Sequence, residues 1–119
     1  MKIIRRLAEL ISRGVVYKRS IKINNKKIPI YITPDAQLKY SKVGVNPFDT
    51  DLINIAQKFI KPESNVWDIG ANIGVFTFAC AEMVENGEVL SVEADIWLAS
   101  ILKKTKNLDY YNLKHIYVL

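Results

Sequence analysis

The run Val66-Trp67-Asp68-Ile69-Gly70-Ala71-Asn72-Ile73-Gly74 constrains this chain more than any other stretch, because it joins a short apolar strand to a glycine-bearing turn. Val75 to Val84 follows, almost wholly apolar with Phe76, Phe78, Ala79 and Met83, which is the composition of a crossover helix packed on a sheet. Asn86-Gly87 turns the chain into Val89 to Glu93, a second apolar run closed by a carboxylate. Leu98, Ile101, Leu102, Thr105 and Leu108 line one face of a further helix, and Lys103, Lys104 and Lys106 suit the negative end of its dipole. Leu113 to Leu119 reads as a third strand. Strands and helices alternate as parallel βαβ units require, so the predicted class is α/β with a parallel sheet.

The two strand-closing acids give this unit its chemistry. A strand, a glycine turn, a helix and a second strand ending in an acid compose a nucleoside-binding half-site: backbone meets ligand at the glycines, and the second acid takes ribose hydroxyls. Glu93 lies nineteen residues beyond Gly74, at the place for that role. A dinucleotide site needs several glycines and an apolar residue where Asp68 stands, because Asp68 would repel a pyrophosphate. The same carboxylate favours a cationic ligand. Gly70 allows close approach or positive φ, and Asn72 tolerates the left-handed region while offering amide hydrogen bonds. Taken singly, Asp68 serves equally well as a cap for the next turn and Glu93 as a solvated strand end; it is their joint placement that favours a ligand.

Asp68-Ile69-Gly70-Ala71-Asn72-Ile73-Gly74, followed by Val89-Leu90-Ser91-Val92-Glu93-Ala94-Asp95, resembles the FkbM family of S-adenosylmethionine-dependent methyltransferases over roughly residues 48–119. Ala94 stands where that family usually has Pro, and Thr105, three residues after the matching Leu102, stands where it has a first helix Asn. The resemblance implies S-adenosylmethionine as cofactor, bound by Asp68, Gly70, Ala71, Asn72, Gly74, Glu93, Ala94 and Asp95, with Ala94 and Asp95 beside the adenine. It implies methyl transfer to a hydroxyl of a saccharide or polyketide-like small molecule, with no nucleic acid as partner. It also implies an incomplete Rossmann-like class I methyltransferase fold, comprising the first three parallel strands. Such domains resemble a seven-stranded sheet of about 200 residues or more, so 119 residues are expected to supply the cofactor half alone, without acceptor-binding groups or a catalytic base and without activity by itself. A free sheet edge would then invite self-association.

Ahead of this half, residues 1–47 read as an N-terminal extension. Ile3, Ile4, Leu7, Leu10 and Ile11 recur at helical spacing with Gly14 as the stop, forming an amphipathic helix whose short apolar stripe is expected to pack on its own domain or a partner. Alternating residues 15–23 and 27–33 flank Asn24-Asn25-Lys26 as a β-hairpin, with Pro29 suited to an edge. Pro34, Asp35, Gly44, Asn46 and Pro47 mark a looped connection, and a helix from Asp51 to Ile60 is stopped by Lys61-Pro62. Tyr31 and Tyr40 read as packing residues; the resemblance implies that the segment before the first strand helps close the cofactor site, which would bring in Asp49 or Asp51.

The net charge of +5 is N-terminal in origin: residues 1–34 hold nine Lys or Arg against Glu9 alone, and the remainder eight against eleven acids. Scattered as they are, these cations describe a solvated basic face before they describe a nucleic-acid or membrane surface. Cys80, the only cysteine, lies in an apolar helix and excludes a disulfide framework; His115, the only histidine, suits a surface or satisfied core position, so no metal site can be argued. Arg5, Arg6, Glu9 and Arg13 interrupt the opening, leaving no signal peptide, and no segment has transmembrane length, which makes the cytoplasm the default location. Two other classes compete with the methyltransferase. A non-catalytic truncated fragment or interaction module fits the length, and a nucleic-acid or membrane-surface module fits the basic lead while leaving Asp68 and Glu93 unexplained.

Overall fold

The computed structural model describes residues 1–12, 14–34, 36, 48 and 50–119, apart from the side chains of residues 8, 9, 11 and 12. Helix α1 (Lys2–Ser12) leads into strands β1 (Tyr17–Ile23) and β2 (Lys26–Ile32); α2 (Thr50–Phe59), β3 (Val66–Ile69), α3 (Val75–Met83), β4 (Val89–Val92), α4 (Ile96–Lys106), a 3₁₀ turn (Asp109–Tyr111) and β5 (Ile116–Val118) follow. Strands β3, β4 and β5 form one parallel sheet in that order, and β1 and β2 pair antiparallel as a separate sheet. The expected α/β class, the parallel order and the independent hairpin all stand.

Sheet register explains which side chains go inside. Val66 pairs with Val89 and Asp68 with Ser91, while Val89 pairs with Ile116, so these residues share one face. All five are buried there, with α3 and α4 against the sheet. On the other face Trp67, Ile69 and Tyr117 are exposed, with no described helix covering them. Phe78, Ala79 and Cys80 of α3 and Ile101, Leu102 and Thr105 of α4 complete the core, as the apolar spacing implied. Burial holds the Cys80 thiol in its protonated form, pushing its pKa up to about 12, with the Asp68 charge adding to the effect. His115 is exposed.

The hairpin turns at Asn24 and Asn25, both at positive φ (48° and 60°), as a two-residue type I′ connection requires. Its inner residues Ile21, Ile23, Ile28, Ile30 and Ile32 are fully buried in the same core as the helices. Polar bonds then fix its position: Tyr31 N–H donates to Thr105 Oγ1 (2.9 Å), and the Tyr111 hydroxyl donates to the Pro29 carbonyl (2.6 Å). Lys26 pairs with Glu82 at 3.2 Å. Tyr31 packs against the core with Lys104 over its ring at 4.7 Å.

One strand differs from expectation, and one helix face is left uncovered by its own domain. The third strand begins at Ile116, because Lys114 N–H closes a turn onto the Tyr111 carbonyl and leaves Leu113 93% exposed. The apolar stripe of α1 packs on nothing in the described structure: Ile3, Ile4, Leu7 and Leu10 are all exposed. Helical spacing creates an apolar face but does not choose what covers it. Tyr40, Asp35, Gly44, Asn46, Pro47 and Asp49 lie outside the described residues.

Candidate functional site

The site sits at the C-terminal ends of β3 and β4, where open α/β sheets place their ligands. After β3 the backbone enters the left-handed region at Gly70 (φ 78°), Asn72 (φ 56°) and Gly74 (φ 96°). The two glycines answer different needs. A Cβ at Gly74 would lie 2.6 Å from the Phe78 ring, so this position is closed by the core. At Gly70 a Cβ would meet nothing within 4 Å, so bare backbone there faces open space. Gly70 and Ala71 N–H both donate to the Val92 carbonyl (2.9 and 3.0 Å), tying the turn to the end of β4, and Asn72 Oδ1 accepts from Ile73 N–H (2.8 Å).

Glu93 completes the turn from the neighbouring strand. Its Oε2 accepts Asn72 N–H at 2.7 Å and its Oε1 accepts Asp95 N–H at 2.9 Å, so one carboxylate ties the first turn to the second. Each oxygen keeps a further lone pair. Asp95 takes a scaffolding position: its Oδ1 accepts from Trp97 and Leu98 N–H (2.9 and 3.1 Å), the N-cap of α4. Ala94, between the two acids, is exposed.

Asp68 lies inside. It is 9% exposed, and its Oδ2 accepts the Thr77 hydroxyl at 2.6 Å. Thr77 Oγ1 is also 2.6 Å from Ser91 Oγ; with the Thr77 proton directed to Asp68, Ser91 is the donor in that second bond. Burial raises the Asp68 pKa, opposed by hydrogen bonds from the Thr77 side chain and backbone, and the charge on Glu93 raises it further. The Thr77 backbone bond means that Asp68 caps α3, whose own N-cap Gly74 has no side chain to do so. The structure therefore brings Asp68, Gly70, Ala71, Asn72, Gly74 and Glu93 together around one turn and sets Ala94 and Asp95 beside it. Thr77 and Ser91 were absent from the sequence-based site. Their signal was a hydroxyl inside each of two largely apolar segments, since a buried hydroxyl needs a partner. Asp51 lies in the first turn of α2.

A second recess, lined by Asn65, Val66, Trp67, Glu88, Leu90 and Tyr117, lies towards the strand starts on the bare sheet face, away from the turn. Among the described residues no cluster of His, Cys, Asp or Glu is arranged to hold a metal, and no helix is long and apolar enough to cross a membrane.

Comparison with solved structures decides what kind of sheet this is. The T. thermophilus 16S rRNA methyltransferase RsmC, in complex with AdoMet and guanosine, matches with a TM-score of 0.63 at 24% identity, over 89% of this chain and 28% of that one. This is the methyltransferase Rossmann-like fold. An M. jannaschii tRNA methyltransferase (TM-score 0.57, 19% identity, 86% of this chain and 28% of that one) and P. horikoshii TYW2 in complex with MeSAdo (0.57, 19%, 86% and 35%) share it. The chain thus spans about a third of the length of the structures it matches. No protein-family model matches the sequence. The expectation of a saccharide or polyketide-like acceptor without nucleic acid is overturned, because these structural neighbours act on tRNA and rRNA. The physical reason is local: residues 68–74 and 89–95, which carried the resemblance, form the ends of two strands and the turns after them, and none of them reports on an acceptor.

Proposed function

We propose that this chain carries the cofactor-binding half of an S-adenosylmethionine-dependent methyltransferase, in the form described by the FkbM-like motif. Residues 48–119 form that half, and the hairpin within 1–47 braces it through α3 and α4. The observation that carries the proposal is the pairing of open backbone at Gly70 with Glu93, whose carboxylate reaches back to Asn72 N–H. The residues present fit the cofactor. Gly70 offers an approach free of side chains, and Glu93 has a lone pair on each oxygen for ribose hydroxyls. Asp68 and Glu93 place two carboxylates beneath the turn, a field that suits ammonium and sulfonium charges and opposes a pyrophosphate. Because Asp68 is nearly covered, it contributes that field and the cap of α3 more than a direct contact. Asp95 fixes Ala94 beside the adenine position by capping α4.

When bound, the cofactor supplies an electrophilic methyl for in-line displacement, and this chain's residues hold it by backbone approach and ribose hydrogen bonds. For the acceptor, RNA is the class that the solved neighbours support. Equilibrium binding of S-adenosylmethionine to the parent chain, Gly70→Val and Glu93→Ala, with melting curves recorded in parallel, tests the site. Glu93→Ala should weaken binding by about 1–3 kcal/mol through loss of a charged hydrogen bond. Gly70→Val should abolish binding by filling the approach. Parent-like affinity in both folded variants would remove the assignment.

A further inference from the structure

Helix α1 is the feature that the methyltransferase proposal leaves unused, and it does not depend on that proposal. At about 100° per residue, Ile3, Ile4, Leu7 and Leu10 fall within a single arc of roughly 120°, and Lys2, Arg5 and Arg6 fall outside it. All four aliphatic residues are exposed, at 75%, 70%, 51% and 61%, so among the described residues they form a contiguous hydrocarbon stripe in water. Lys2, Arg5 and Arg6 are exposed as well.

We propose that α1 is a membrane-surface anchor that lies in the headgroup region of an anionic bilayer, with Ile3, Ile4, Leu7 and Leu10 among the acyl chains and Lys2, Arg5 and Arg6 at the lipid phosphates. Eleven residues make a helix of about 16 Å, far short of the roughly 30 Å hydrocarbon core, so it lies on the membrane and does not span it. Charge selects the lipid: residues 1–34 carry nine basic side chains against one acid, complementary to an anionic leaflet. Charge alone would serve RNA equally well, since phosphates attract the same side chains. The aliphatic stripe separates the two. An RNA backbone offers nothing to cover four exposed branched hydrocarbons, whereas the acyl boundary removes them from water while basic heads stay at the phosphates.

Flotation of the full chain with vesicles of phosphatidylcholine alone, and with about one quarter phosphatidylglycerol, tests the proposal. The chain should float with the anionic vesicles, roughly tenfold more weakly with the neutral ones, and less in high salt. Leu7→Glu should cut vesicle binding by about tenfold or more, and Arg6→Gln by several-fold. Leu113→Glu, at an exposed leucine far from α1 in sequence, should leave binding unchanged and controls for general loss of hydrophobicity. Melting temperatures of all three variants should match the parent, since these side chains are outside the core. Equal binding to neutral vesicles, binding insensitive to Leu7→Glu, or no binding by the folded parent would overturn the anchor. So would two specific findings: tRNA displacing the vesicles from a chain indifferent to Leu7→Glu, or a dimer that Leu7→Glu splits while vesicles are ignored.

Discussion

The turn after β3 and the turn after β4 begin alike, each from an apolar strand of four residues, and end differently. The first runs through three left-handed positions, and its helix starts at a glycine with no capping side chain. The second has no left-handed position, and Asp95, itself extended, satisfies two N–H groups at the start of α4. One turn is left open and the other closed. The open turn borrows its missing polar partners from elsewhere: Asp68 from beneath caps α3, and Glu93 from the second turn holds Asn72. A backbone surface open to a ligand is thus obtained by moving the satisfying carboxylates off the turn itself: the N–H groups of residues 70–74 are all paired, while Gly70 keeps its side-chain space empty.

Substitutions at the two turns should separate these roles. Gly74→Ala carries the largest penalty, because it combines a left-handed φ of 96° with a Cβ 2.6 Å from Phe78; about 2–4 kcal/mol of stability should be lost in chemical denaturation. Thr77→Val should cost about 1–3 kcal/mol, since it removes the hydroxyl shared by buried Asp68 and Ser91, and denaturation midpoints would reveal it. Asp95→Ala should cost about 1 kcal/mol through loss of the α4 cap, with cofactor affinity affected less than by Glu93→Ala. Gly70→Ala, with an equally left-handed φ but open space, should cost only about 1 kcal/mol. Equal losses at Gly70 and Gly74 would erase the distinction between the open and closed positions.

Asp68 supplies a pH test with a defined sign. Its folded pKa lies above the ordinary 3.8, so the folded state holds this proton longer than the unfolded state. The charged form is therefore a burden on folding that is absent below the ordinary value and complete above the raised one. Relative to Asp68→Asn, the parent should lose stability as pH rises through that window and hold a constant difference beyond it. Urea midpoints of both proteins at a series of pH values would show this, and a parent that gains stability relative to Asp68→Asn as pH rises would contradict it.

Much of this was legible in the sequence where one periodicity dominates. Alternation on either side of Asn24-Asn25 set the hairpin, and the apolar run from Val75 set α3 almost to the residue. The order β3-β4-β5 follows from short crossovers. Long-range partners were not legible. Nothing local to Tyr111 announces that its hydroxyl meets Pro29 from 82 residues away, and alternation in the hairpin cannot say that α3 and α4 cover it. At the site, the acids and glycines announced themselves as a pattern, whereas the sharing of the Thr77 hydroxyl by Asp68 and Ser91 depends on strand register and helix phase together. The acceptor was misread because residues 68–74 and 89–95 carry no information about it.

Calorimetric titration of the chain with S-adenosylmethionine and, separately, with NAD tests the central claim most directly, because the two ligands share an adenosine and differ in the sign of the charge carried past the turn. Carboxylates at positions 68 and 93 with only two turn glycines should give saturable binding of S-adenosylmethionine and none of NAD at matched concentrations. Tighter binding of NAD, or heats for neither ligand from a folded chain, would contradict the account.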